Sequence, residues 1–193
     1  EGMPIVRRLE YEGLPPLTLC HGSPLRVNEK LLPGDENTLS VMERTGTPML
    51  LCGHTHRQEK IIHEGTTLLN AGSVGLGLDT GAGRPLQAQF LILHGEIRHG
   101  ENLPGAGRWR EEFVSLPYDT ERVIRELYEE KLDQRAPYWT LITERMLRTG
   151  SGDHGRVLAK AMELCRAQEG QCIWPDIPEQ YWQQAWEMET GRI

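Results

Sequence analysis

Two histidines separated by one threonine leave an apolar run in the stretch MLLCGHTHRQEK, Met49 to Lys60. Neutral imidazole is the commonest protein ligand for transition metals. At i and i+2 on a loop leaving a strand, His54 and His56 can converge on one metal or reach two adjacent metals from one rigid base. Gly53 is expected to let the backbone turn sharply and approach closely. The design occurs earlier too: LTLC, Leu17 to Cys20, is followed by His21 and a Gly-Ser-Pro turn. Ligand sites in α/β architectures gather at the carboxyl ends of strands. Two adjacent strands ending in histidine would bring His21, His54 and His56 together. A third apolar run breaks into small residues at LLNAGSVG, Leu68 to Gly75. Its Asn70 and Ser73 suit hydrogen-bonded turns, and its backbone N–H groups suit an anion.

The elements that must position these residues can be read from periodicity. KIIH (Lys60 to His63) and TTLLN (Thr66 to Asn70) flank Glu64-Gly65, a hairpin signal. QAQFLILH (Gln87 to His94) and EIRH (Glu96 to His99) flank Gly95 and predict a second hairpin. Glu36 to Arg44 has a weak helical pattern. From Asp119 onward the texture is helical. Asp119 is expected to cap a first helix. Pro137 fits the first turn of a second, ended by Gly150. Asp153 is expected to cap a third, and Pro178 opens a fourth. The chain therefore divides near residue 116, into a β-rich part (1–116) and a helical extension (117–193).

The bulk numbers exclude some classes of function. The 193 residues are 38% hydrophobic and 25% charged, as in a soluble globular protein, with net charge −7 and pI near 5.5. That balance argues against a general nucleic-acid or anionic-membrane binder. It leaves room for a small phosphorylated substrate, because a metal can supply local positive charge. No apolar stretch approaches the ~20 residues of a membrane helix, and no signal peptide is visible. Cys20 and Cys52 sit inside apolar runs, and no C-x-x-C pair occurs among the four cysteines. The expectation is free thiols in a reducing, cytoplasmic setting, with a Cys165–Cys172 pairing left open.

Together the motifs LCHGSP, CGHTHRQ and NAGSVG, in this order and each after an apolar strand, resemble the second half of a calcineurin-like metallophosphoesterase of the small bacterial phosphodiesterase and phosphatase type. The resemblance covers roughly Leu14 to Arg98. It implies an α/β fold, a layered α-β-β-α sandwich of which this chain holds the second half, followed by a helical bundle. It implies two divalent metals (Mn, Fe, Zn, Co or Ni), with His21 and His54 on one ion and His56 on the other. It also implies hydrolysis of phosphomonoesters or phosphodiesters by a hydroxide bridging the two metals. Asn70, Gly72 and Ser73 match the turn that buttresses such a site. Arg57 would reach a substrate phosphate by a bidentate contact, or else form a surface salt bridge.

The departures from the family are equally specific. Its first half carries Asp-x-His, Gly-Asp and Gly-Asn-His-Asp/Glu motifs, which supply the bridging carboxylate, the Asn ligand and the histidine that protonates the leaving group. None stands before His21, so no catalytic residue is identified in this chain, and such residues are expected upstream of residue 1. Three imidazoles without carboxylates leave two adjacent dications under-neutralised. Three explanations compete: the chain is a fragment, its first half lies on another polypeptide, or it is a degenerate, non-catalytic protein-interaction module.

Plainer roles stand beside these. His54 and His56 can cap a strand through backbone carbonyls, and His21 can be a core residue. Ser23 reads as a turn former, since no G-x-S-x-G elbow surrounds it. His63, His94 and His99 receive no role, and His154 reads as a cap or surface residue. Gly75 to Pro85 lacks a P-loop Lys-Ser/Thr and reads as a loop beside the site. Trp139, Trp174, Trp182 and Trp186 lie at helical spacing and read as packing residues; the sharper alternative is a cap over the site or a homo-oligomer interface. Ten basic against fourteen acidic side chains from Pro117 onward make the extension a poor phosphate clamp.

Overall fold

Short apolar runs bounded by turn residues become strands of one mixed sheet in the computed structural model, which describes residues 4–78, 83–97, 107–173 and 176–191. β1 (Val6–Leu9) runs antiparallel to β2 (Leu17–Cys20), and β2 runs parallel to β3 (Met49–Cys52). α1 (Glu36–Arg44) makes the crossover between β2 and β3. β4 (Gln58–His63) and β5 (Thr66–Ala71) form the hairpin that Glu64-Gly65 signals, with both turn residues at positive φ, 45° and 77°. β5 lies parallel to β3, giving the order β1-β2-β3-β5-β4.

Period-2 alternation sorts the apolar residues of this sheet onto two faces. Cys20, Leu50, Cys52 and Leu68 pack under Val41 and Met42 of α1. Leu17, Met49 and Leu69 point the other way. They meet Leu91 and Leu93 of β6 (Gln87–Glu96) and Trp109 and Phe113 of β7 (Arg108–Pro117), a separate two-stranded sheet. One helix, a five-stranded sheet and a two-stranded sheet are thus layered around two apolar seams.

The helical region holds α2 (Thr120–Glu129), α3 (Leu132–Arg135), α4 (Pro137–Thr149), α5 (Asp153–Glu169) and α6 (Glu179–Thr190). Asp119 caps α2 by accepting a hydrogen bond from Arg122 N–H at 2.9 Å, Pro137 occupies the first turn of α4, and Gly150 closes α4 in left-handed backbone. Ile142, Leu147, Val157, Tyr181 and Trp182 form the buried interior. Trp139 and Trp186 are half-buried; Trp174 lies outside the described residues. No helix among the described residues is long and apolar enough to cross a membrane.

Three sequence expectations need correction. Gly95 is not a turn: β6 runs through it, and a Cβ there would sit 2.5 Å from Leu14 Cδ1. It is a close-approach glycine, and the partner strand is β7; Arg98 and His99 of the expected second strand lie outside the described residues. Asp153 is not a cap either. It is the first residue of α5, 4% exposed, with Arg145 Nε 2.8 Å from Oδ2 and Arg156 on Oδ1. Finally, two compact units appear, but not as one cut near residue 116: Glu1–Leu78 groups with Gln87–Leu116, and Asp79–Leu86 groups with Pro117–Ile193. Backbone bonds from Gly83 N–H to Thr149 O (2.8 Å) and from Leu86 N–H to Leu147 O (3.1 Å) tie that segment to α4.

Candidate metal centre

The carboxyl ends of β2 and β3 lie side by side because the strands are parallel and in register, Leu17 opposite Met49 and Leu19 opposite Leu51. Gly53 N–H donates to His21 O at 2.8 Å, extending that pairing one step past the strands. His21 and His54 therefore meet: their ring centroids are 5.3 Å apart, edge to face at 69°. Ser23, fully buried, accepts hydrogen bonds from Leu25 N–H and Arg26 N–H, both at 3.1 Å, and so forms the turn that carries the chain away from His21.

The sharp turns at the end of β3 are made by the histidines, not by Gly53. His54 and His56 both adopt left-handed backbone, φ 65° and 58°, whereas a Cβ at Gly53 would meet nothing nearer than 3.6 Å. Left-handed backbone at non-glycine residues costs about 1–3 kcal/mol each and clusters at functional sites. The Asn70 amide holds the turn together, donating to Gly53 O at 2.6 Å and to Thr55 Oγ1 at 3.0 Å, while its own oxygen accepts from Gly72 N–H. Asn70 is 1% exposed, so these bonds satisfy a group that would otherwise be buried unpaired.

The loop after β5 crosses back over His56. Ser73 Oγ accepts from Leu76 N–H at 3.1 Å, and Ser73 O accepts from Gln89 N–H at 2.9 Å. Leu76 O lies 3.1 Å from His56 Nδ1. A carbonyl can only accept, so Nδ1 carries the proton and Nε2 presents its lone pair, the arrangement of an imidazole ligand oriented by its second nitrogen. Gly72 is required twice over: its φ is +82°, and a Cβ would come within 2.5 Å of Gln89 Oε1. Arg57 is exposed and pairs its backbone with Leu78.

Burial is the chief reason that the His54 pKa is lowered, aided by electrostatic repulsion from its neighbours His21, Lys30 and His56 and opposed by a hydrogen bond to the Asn28 backbone. A neutral imidazole is the form that binds metal. The structure thus brings His21 and His54 together but does not gather all three histidines: among the described residues, no three His, Cys, Asp or Glu side chains form a group able to hold an ion. His56 has its Nδ1 against the Leu76 carbonyl. Sequence reasoning missed Gln89, whose side chain fills the space under Gly72; only a buried polar residue inside an apolar strand pointed to it. His63 and His94 are spoken for by exposed carboxylates, Glu43 at 2.9 Å and Glu112 at 2.7 Å. His154 lies in the first turn of α5.

The fold is that of an α/β chain with a mixed five-stranded sheet and C-terminal helices. The chain is similar to the hypothetical protein PH1004 from Pyrococcus horikoshii, at 18% identity and TM-score 0.54, over 77% of this chain and 52% of that one. It spans about half the length of that relative. It is also similar to a metallophosphoesterase from Sphaerobacter thermophilus, at 17% identity and TM-score 0.42, over 64% and 51%. A zinc complex of Vps29 from Entamoeba histolytica matches at 19% identity and TM-score 0.36, over 60% and 62%. No protein-family model and no curated protein matches the chain.

Proposed function

We propose that this chain carries the histidine half of a metal-dependent phosphoesterase centre. The observation that carries the reading is the His21–His54 pair, with ring centroids 5.3 Å apart at the ends of parallel strands. His56 follows two residues after His54, with Nδ1 already engaged by Leu76 O. In this reading His21 and His54 share one divalent ion and His56 serves a second. Mn, Fe, Zn, Co and Ni all accept imidazole. When bound, such a pair of ions supplies an activated water and stabilises charge on phosphoryl oxygens.

The chain's own residues prepare for this. The lowered proton affinity of His54 keeps its lone pair available at neutral pH. The Leu76 carbonyl orients His56, and Asn70, Gly72 and Ser73 fix the turns around it. In this reading Arg57, exposed and next to His56 in sequence, makes the bidentate contact with phosphate oxygens. The substrate class is a phosphomonoester or phosphodiester. Three neutral imidazoles do not offset two dications. The carboxylate ligands and the leaving-group acid therefore come from polypeptide beyond these residues. The four thiols are free, which fits a reducing, cytoplasmic setting, and in this reading a homo-oligomer forms through the helical extension.

Metal content tests the proposal. In the intact protein, His21→Ala and His54→Ala should each weaken Mn²⁺ or Zn²⁺ binding by more than about tenfold, since even outer-shell partners are worth that much. Hydrolysis of p-nitrophenyl phosphate and its bis-ester should be lost in parallel. Unchanged metal after dialysis, read by elemental analysis, would end the reading. A second reading, a non-catalytic interaction module on the same fold, is favoured by the lack of a three-ligand group among the described residues. Intact protein that binds neither metal nor phosphoester would establish it.

A further inference from the structure

A cavity of about 380 Å³ opens between the β1–β2 hairpin and the C-terminal end of α1, within the β-rich unit. That volume lies in the range of small-molecule sites. Its walls are apolar: Val6 of β1, Val41 of α1, and Pro24 and Leu25 of the loop after His21. Leu25 is 69% exposed and Val6 40%, so they border the opening, while Val41 forms the floor.

Its polar groups are few and incompletely used. Thr18 and Thr45 line it, with Thr18 Oγ1 2.8 Å from Thr47 Oγ1 and the Thr45 hydroxyl buried rather than open to the cavity. Arg44, the neighbouring residue, donates Nε–H to Ser40 O at 3.0 Å and Nη2–H to Ser40 Oγ at 2.8 Å, and contacts no carboxylate among the described residues. Of five guanidinium N–H donors, three are left for a ligand. Arg8 stands on the other rim, with Nε 2.9 Å from the exposed Glu10 carboxylate and Nη1 3.4 Å from Gly46 O. Two guanidinium groups therefore edge an apolar pocket on a chain whose net charge is −7.

We propose that this cavity binds a small monocarboxylate with an apolar body. The carboxylate takes the free edge of the Arg44 guanidinium, a planar fork that suits bidentate oxygen pairs. The apolar body lies against Val6, Leu25 and Val41 and removes them from water. A bare phosphate satisfies the guanidinium but leaves those walls wet, and an apolar cation meets repulsion at the rim. The site lies apart from the histidine pair and does not depend on a metal being bound there.

Titration calorimetry on the intact protein tests this with octanoate, octylammonium and inorganic phosphate as probes. Octanoate should saturate at or below about 1 mM, an ordinary small-ligand affinity. Octylammonium and phosphate should bind at least about tenfold more weakly. Arg44→Gln should weaken octanoate about tenfold or more, the worth of one charge-assisted contact. Val6→Trp, at a partly exposed position, should block the cavity. Octanoate binding unchanged by Arg44→Gln would overturn the proposal. So would equal affinity for octylammonium or phosphate, or no saturation by octanoate. Loss of metal at His21 and His54 with octanoate binding retained would separate failure of the phosphoesterase reading from failure of this one.

Discussion

In the β-rich unit the chemistry-bearing residues stand at strand ends. His54 and His56 sit in left-handed backbone, and His54 is held toward its neutral form. In the helical unit the one buried carboxylate among the described residues, Asp153, is enclosed by Arg145 and Arg156. Arg145 also lies 5.8 Å over the Trp186 ring, so this ion cluster joins α4, α5 and α6. Local strain with lone pairs left open marks one region; charge neutralised within a packed interior marks the other. The difference teaches where to look for chemistry: a perturbed group becomes a site when its perturbation leaves it available, and a structural tie when its partners consume it.

The largest effects should come from the two interiors, which set a common scale. Leu50 and Leu147 are both fully enclosed, so Leu→Ala at either should cost about 2–5 kcal/mol in urea unfolding. A loss below about 1 kcal/mol at one position would show that its region is loosely packed and the comparison unequal.

Glycine substitution probes the strain directly. Gly72 and Gly170 have nearly the same φ, +82° and +77°, but a Cβ meets Gln89 at Gly72 and open space at Gly170. Gly72→Ala should cost about 2–3 kcal/mol, and Gly170→Ala about 1 kcal/mol, in the same assay. Equal losses would mean that backbone conformation alone, not the crowding near the centre, decides both.

Asp153→Asn should cost about 1–2 kcal/mol, discounted because its arginine partners are partly exposed. Burial alone would raise the Asp153 pKa. Hydrogen bonds from Arg156 and Ser151, with the charges of Arg145 and Arg156, outweigh that and hold it below its ordinary value of 3.8. A depressed carboxylate stabilises the fold above its unfolded pKa, and that contribution is lost as pH falls through the folded one. Acid unfolding of the parent should therefore steepen below about pH 4, and Asp153→Asn should remove that component. An unchanged acid profile would demote the cluster to surface pairing.

The smallest effect on stability belongs to His54→Gly. Glycine relieves the left-handed backbone by about 1 kcal/mol and forfeits one hydrogen bond of similar worth. Thermal stability should be unchanged within about 1 kcal/mol while metal affinity falls. A large destabilisation would make His54 a structural cap.

Much of the sheet was legible because its strands are short, apolar and closed by recognisable turns: LTLC, MLLC and the Glu64-Gly65 hairpin formed as periodicity implied. β1 was not, because VRRL is an edge strand whose exposed residues leave no burial pattern. β7 was missed although Trp109 and Phe113 face one seam at even spacing; its charged residues masked the alternation. Gly95 misled because a glycine tolerating contact with Leu14 looks, in sequence, like a glycine making a turn. At the site, the His21–His54 juxtaposition followed from parallel strands. The engagement of His56 Nδ1 did not, because its partner, the Leu76 carbonyl, lies twenty residues away.

The bond from Gly53 N–H to His21 O has one more consequence. Cysteine directly precedes histidine in β2, and in β3 it lies two residues before one. A slip of one residue in β2, or of two in β3, would present a thiol where an imidazole stands. The bond locks the register at the point where such a slip would begin, and so keeps sulfur out of the imidazole positions.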